Sequence, residues 1–375
     1  MIEENPMLSL NIKIWKFFAI IYPTPNKIWR LYMIQLATIL LNFMQFMFLF
    51  DMWGNLAPFI LNVFYLSATF DCLLRTNVII YNRSKFEAFL VEFDAMYIEI
   101  EQSDDDYAKA KLKEATDFCR KFSFFNVSAS FLDLIGTMSH PILTGTRTHP
   151  FGVSLPGIDS RASPYYEIFY LLQLHCPITL SVLYMPFVSF FVTFASFGKT
   201  ALQILQHRLK DIFRNYDDDA ARLDALKECV KYYDRLTRYI KVFDEMVTYI
   251  ILVEFLLFGA IICSLLFCIN IIDTLAQFVS IIMYVGTMLY VLFACYYSAN
   301  EMLEESIKVS EAAYSIPWYD GTTQFRRTLL LFIQRTQKPL CLTVGNVYPM
   351  TLVIFQSLLN MSYSYFTMLQ GLNIQ

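Results

Sequence analysis

The sequence predicts an all-α integral membrane protein with seven transmembrane helices, its N-terminus in the cytosol and its C-terminus outside the cell. Three observations predict it. Hydrophobic residues make up 56% of the 375 and charged residues 17%, with 35 Phe and 24 Tyr; soluble domains sit at about 45–50% and about 25%. Seven apolar runs reach the roughly 20 residues that one helix needs to cross the hydrocarbon core. The basic residues fall in alternate loops, as the positive-inside rule requires of a polytopic chain.

Residues 1–30 are read as a cytosolic or interfacial segment. They carry Lys13, Lys16, Lys27 and Arg30, with a short apolar stretch at 17–22 and no small-residue cleavage pattern. No signal peptide is expected, so the first span acts as its own insertion signal. Spans one to four fall within 31–197, at Leu31–Phe50, Ala57–Ile80, Phe122–Ile142 and Glu167–Phe197. The fourth exceeds the membrane's need and should tilt, with kinks at Pro177 and Pro186, each of which removes a backbone donor. Residues 198–246 form a cytosolic helical segment, and spans five and six, Val247–Ile272 and Thr274–Ala299, occupy 247–299. A helical anchor at 300–340 then leads into Cys341–Leu369, the last span, within 341–375.

Orientation follows from counting Lys and Arg outside the spans. The N-terminal segment has 4, the 81–121 loop 7, the 198–246 loop 10 and the 300–340 loop 5. The alternating loops hold only Arg147 and Arg161, so the balance is 26 against 2. The first set is therefore cytosolic. That arrangement is the reverse of a G-protein-coupled receptor. Asn82, Asn126 and Asn360 head sequons, but they lie in a cytosolic loop or within spans and should stay unmodified.

The cytosolic segments are patterned for helices. Leu223, Leu226, Val230, Tyr233, Leu236, Ile240, Phe243 and Val247 make one stripe at steps of three and four. Asp217, Asp218 and Asp219 suit the start of that helix, so span five should begin deep in the cytosol. Phe325, Leu329, Phe332 and Ile333 mark a short helix before span seven. Helical extensions of spans four to six should pack with it, within or between subunits.

Among ionisable groups inside the spans, Asp71 and Arg75 at i, i+4 form a natural ion pair, whereas Asp133 and Glu254 lack local partners. A structural polar cluster is expected there, and His175 reads as a hydrogen-bonded core group. The eight Cys form no framework and are expected as buried thiols. The four His are scattered, and no Walker A, H-E-x-x-H or phosphate-binding glycine loop occurs. No enzyme chemistry, cofactor or nucleic-acid site is indicated.

The C-terminal third resembles the insect odorant receptor family. The matching stretches are Asn300-Glu301, the run from Ala312 to Tyr319, Lys338-Pro339-Leu340, Thr343-x-Gly345, Pro349 and the run from Tyr363 to Leu369. The resemblance implies a subunit of an odorant-gated non-selective cation channel, tetrameric, in the plasma membrane of olfactory sensory neuron dendrites. The compact 198–246 segment resembles the odorant-tuning subunit, which assembles with a shared co-receptor that carries a long insertion there. The alternative from the sister gustatory receptors is weakened, because Gln370 stands only five positions after Tyr365 and no Phe follows. A G-protein-coupled chemoreceptor is the more distant alternative.

By the same resemblance span seven lines the pore, with Tyr365, Met368, Gly371 and Leu372 as pore or gate residues. Met368 and Leu372 share a helix face, which suits a hydrophobic constriction. The ligand, a small volatile and plausibly an aromatic one, should bind in the outer half of the bundle. Combined with the orientation, the candidates are Phe64, Tyr65 and Ala68 of span two and Leu134, Gly136, Thr137, Met138 and His140 of span three. Span four offers Phe169, Tyr170, Gln173 and Leu174, and span six offers Phe278, Ile281 and Tyr284.

Overall fold

Inside hydrocarbon no water satisfies an amide, so a crossing segment must bond its backbone within helices. The computed structural model describes the backbone of residues 2–54, 56–144, 147, 149–269 and 275–373; some helix-end side chains lie outside that description. After a 3-10 turn at Ile2–Glu4 comes α1 (Ser9–Phe17), then α2 (Ile28–Asp51), α3 (Leu56–Tyr81), α4 (Arg83–Gln102) and α5 (Asp106–Thr144). The fourth crossing is assembled from α6 (Tyr165–Gln173), α7 (Cys176–Thr179), a π turn at Leu180–Tyr184 and α8 (Met185–Lys210). One turn, α9 (Ile212–Asn215), precedes α10 (Asp219–Ile269), and α11 (Leu275–Tyr314) and α12 (Thr323–Thr336) follow. A hairpin of β1 (Thr343–Val344) and β2 (Tyr348–Pro349) leads into α13 (Leu352–Asn373).

Among the described residues, five helical stretches are long and apolar enough to cross a membrane, in α2, α3, α8, α10 and α11. The later half of α5 and α13 complete the seven-span all-α bundle. The expected single helix from the basic segment into span five is α10, and Leu226, Tyr233, Leu236, Ile240 and Phe243 of its stripe are buried. The short helix before span seven is α12, with Phe325, Leu329 and Phe332 buried and the Thr322 hydroxyl accepting the Phe325 N–H at 3.2 Å.

Three elements differ from the sequence reading. Span four is broken, not merely kinked. Pro186 has no N–H to give the Val182 carbonyl, and the chain relaxes into the π turn. The Trp15 indole of α1 fills the vacancy, donating to the Val182 oxygen at 3.0 Å. Span seven begins as a helix only at Leu352, because residues 343–349 pair as a hairpin. The 81–121 loop, read only as basic, is almost wholly helical in α4 and the start of α5.

The main core sits toward the lysine- and arginine-rich end. Every residue of α8 from Pro186 to Ala195 is buried. The Phe194 ring lies 4.9 Å from Phe89, 5.5 Å from Phe93 and 5.6 Å from Phe243, and Phe89 stacks on Tyr239 at 4.8 Å. The Tyr239 hydroxyl is satisfied by donating to the Phe194 carbonyl at 3.0 Å. Ion pairs rim this core: Arg208 with Asp105 at 3.2 Å and Arg235 with Glu92 and Glu99 at 2.6 and 2.5 Å.

Three of the stretches that resemble the odorant receptors, at Asn300, Leu340 and Thr343, tether the approach to α13. Asn300 of α11 accepts the Leu352 N–H at 3.2 Å, capping its first turn. Ser306 accepts the Leu340 N–H at 2.7 Å, and Asp244 of α10 accepts both the N–H and the hydroxyl of Thr343, at 2.6 and 3.0 Å. Burial pushes the Asp244 carboxyl up, against the pull of the Thr343 hydrogen bonds. Gly345 turns the hairpin at φ +61°, where a Cβ would lie 2.8 Å from a methyl of Leu252.

Candidate functional site

Between α3, α5, the π turn, α10 and α11 the helices separate around a cavity of about 650 Å³. Phe64, Tyr65 and Ala68 of α3 form one wall; Phe125, Asn126, Ala129 and Ser130 of α5 form another. Tyr184 and Met185 at the π turn make the floor, while Phe258 and Ile261 of α10 and the α11 stretch from Ile282 to Val291 close the far side. The size and apolar lining suit a small organic molecule. The Tyr65 and Tyr284 hydroxyls hydrogen-bond each other. Tyr290 donates to Asn126 Oδ1 at 2.6 Å, and Asn126 Nδ2 donates to the buried Ser189 hydroxyl at 3.4 Å. Thr287 donates to the Met283 carbonyl at 3.0 Å.

Phe151, from the loop between α5 and α6, covers the cavity with its ring 5.0 Å from Tyr65, edge to face. That loop is fixed by a polar hub. Gln173 Oε1 accepts the Phe151 N–H at 3.1 Å, and Gln173 Nε2 donates to His149 Nδ1 at 3.1 Å. His149 Nε2 then donates to the Ser160 carbonyl at 2.9 Å. Both contacts fit only a neutral imidazole, and burial, with Arg161 nearby, holds the His149 pKa below its ordinary value. The Ser154 N–H donates to the Met44 carbonyl at 3.2 Å, tying the loop to α2.

Below the floor lies the charge cluster. Arg75 pairs with Asp71 at 2.9 Å, as their i, i+4 spacing predicts, and also contacts Glu254 of α10, for which no sequence neighbour suggested a partner. Its guanidinium lies 4.1 Å from the centre of the Tyr184 ring and 4.7 Å from that of Phe187. All three charged side chains are buried. The Asp133 side chain lies outside the described residues.

Of the ligand-binding residues named from the sequence, Phe64, Tyr65, Ala68 and Tyr284 meet on the cavity wall. Met138, Phe169 and Tyr170 pack instead in a separate small core with Leu41, Met44 and Phe151, above the cavity. Tyr170 donates to the Met138 carbonyl at 2.6 Å, and Gln173 holds the covering loop. Ile281 is buried outside the lining, Gly136, Leu174 and Phe278 are exposed, and the side chains of Leu134, Thr137 and His140 lie outside the described residues. On α13, Tyr365 and Met368 are exposed on this single chain, and the side chains of Gly371 and Leu372 lie outside the described residues. His175, half-buried, hydrogen-bonds the Leu172 carbonyl.

The wall residues that sequence reasoning missed include Phe125, Asn126, Ser130, Tyr184, Met185 and Tyr290. Asn126 and Ser130, one turn apart, are two of several polar residues in span three, beside Ser123, Ser128 and Asp133, so the sequence alone did not single them out. Tyr184 and Met185 reach the cavity through the π turn, whose register no periodicity could give.

A family model described as "7tm Odorant receptor" matches residues 55–363. Odorant receptor Or2 of Anopheles gambiae is 34% identical, with 99% of each chain covered. Odorant receptor 10 of Aedes albopictus is 36% identical over 97% of each, and odorant receptor 30a of Drosophila melanogaster 33% over 98% of this chain and 97% of its own. The solved olfactory receptor OR5 of Machilis hrabei, in complex with eugenol, is 17% identical and superposes with a TM-score of 0.84 over 99% of this chain and 97% of its own.

Proposed function

This chain belongs to the 7tm odorant receptor family, and on that footing we propose that it is the odorant-tuning subunit of a ligand-gated cation channel. The observation that carries the reading is the apolar cavity of about 650 Å³, walled by aromatic rings and holding few polar groups. Phe64, Phe125 and Phe151 offer faces and edges for an aromatic volatile. Tyr65, Tyr284 and Tyr290 present hydroxyl oxygens as anchors. Ligand binds here, away from the 26 basic residues that mark the cytosolic side, and so from outside the cell or from the outer leaflet.

The channel forms when this chain joins a co-receptor subunit in a tetramer at the plasma membrane of sensory dendrites, with α13 of each subunit facing the pore. Exposure of Tyr365 and Met368 on the isolated chain supports that face. Met368 and Leu372, one turn apart, close it by dewetting. An odorant opens the pore by binding the open state more tightly than the closed one, and a tenfold preference contributes about 1.4 kcal/mol. The resting bias is therefore small, or several subunits act together. Voltage clamp of cells expressing the chain with and without the family co-receptor, under an odorant panel, tests this. Odorant-evoked cation current only on co-expression is expected; its absence with surface delivery shown would remove the subunit reading. Tags at both termini on intact cells check that the C-terminus is outside.

A further inference from the structure

Arg75 stands between the cavity floor at Tyr184 and α10, the helix that packs against α13. We propose that it is the positioning residue that passes cavity occupancy to α13, an inference that rests on the channel reading above. Tyr184 has one side on the cavity and its ring 4.1 Å from the Arg75 guanidinium. A ligand that moves the Tyr184 ring changes the cation–π contact, which is strongest when desolvated as here. Arg75 cannot follow freely, because Asp71 of α3 and Glu254 of α10 hold it and each would be left as an unpaired buried carboxylate. The displacement is shared with α10.

α10 is a continuous helix from Asp219 to Ile269. Phe258 and Ile261, one and two turns past Glu254, line the same cavity. Between them the Gly259 carbonyl shares the single proton of the buried Ser362 hydroxyl of α13, at 3.1 Å, with the Leu358 carbonyl at 2.9 Å. A Cβ on Gly259 would stand 3.9 Å from that hydroxyl, so the two helices are in close contact at this point. The π turn supplies the compliance, since its hydrogen bonding is already interrupted by Pro186 and completed from α1 by Trp15. Tyr184, Arg75, Glu254, Gly259 and Ser362 thus form a chain of contacts, continued along α10, from the cavity to α13.

The test separates binding from opening. Glu254→Gln keeps the shape but removes the charge that holds Arg75, and it lies off the cavity wall. With the co-receptor, its maximal odorant-evoked current should fall about fivefold or more, the range of an allosteric coupling. Displacement of a fluorescent apolar dye from the purified chain should stay within about twofold of the unmodified protein. A merely structural role would reduce surface expression and dye binding together. If Glu254→Gln is not delivered to the surface, Ser362→Ala decides: its maximal current should fall at unchanged dye displacement. Glu254→Asp, which restores the charge, should recover part of the current. Overlay of either delivered variant on the unmodified response overturns the relay. Silence of the unmodified chain with every odorant would instead count against the channel reading.

Discussion

The basic end and the outer end of this bundle are built from the same residue types and packed to opposite purposes. At the basic end Phe89, Phe93, Phe194, Phe197, Tyr239 and Phe243 interlock with no polar hydrogen left over, since Tyr239 gives its own to the Phe194 carbonyl. At the outer end Phe64, Tyr65, Phe125, Phe151 and Tyr284 stand around about 650 Å³ of space, under a loop held by side-chain amides. Close packing makes the first region the source of stability. The second gives up dispersion contacts and keeps room for a ligand. One chain can then hold its shape while its outer half responds.

The largest expected effect tests the first half of that contrast. Phe194→Ala should cost about 3–5 kcal/mol, the range for removing a fully enclosed aromatic ring. It should appear as a lowered Tm of the detergent-solubilised chain and loss of surface delivery. If Phe194→Ala proves no worse than Phe64→Ala on the cavity wall, the two ends do not differ in packing. Next comes Tyr290→Phe, which strips the donor from the buried Asn126 and should cost about 1–3 kcal/mol, read as Tm. Ala129→Leu should do the reverse of Phe194→Ala. It fills the cavity, leaving Tm unchanged while the half-maximal odorant concentration rises about tenfold, some 1.4 kcal/mol.

The two ends also differed in how far the sequence disclosed them. The stripe from Leu223 to Val247 reads directly as one helix because burial on one face repeats at the helical period, and α10 follows it. Span number follows from run length and basic clustering. The hairpin at 343–349 hid inside an apolar run, because a two-residue strand pair has no period to detect and only the turn pair Gly345-Asn346 and Pro349 marked it. On the cavity wall, the reading from orientation and resemblance named Phe64, Tyr65, Ala68 and Tyr284, which line the cavity together. It could not tell that Met138, Phe169 and Tyr170 turn toward a separate small core, since helix rotation depends on partners far along the chain. Glu254 had no legible partner for the same reason: Arg75 is on another helix.

The smallest expected effect is a pH response confined to the outer end. His149 holds the covering loop in its neutral form, accepting from Gln173 and donating to Ser160. Burial lowers its pKa in the folded chain, Arg161 lowers it further, and the Ser160 carbonyl opposes both. Tyr166 and Phe169 face the ring without charge of their own. A depressed folded pKa means the contribution is fully present above the ordinary value of about 6.5. It is lost as pH falls through the folded value, where a protonated Nδ1 would point a donor at the Gln173 amide. The loop should loosen on external acidification, shifting the odorant concentration–response curve as the pH falls below about 6.5. His149→Phe keeps a ring against Tyr166 and should abolish that shift. Thermal stability, which resides in the Phe194 core, should hardly follow the external pH; a Tm that tracks the response would show that the loop and the basic end unfold as one unit.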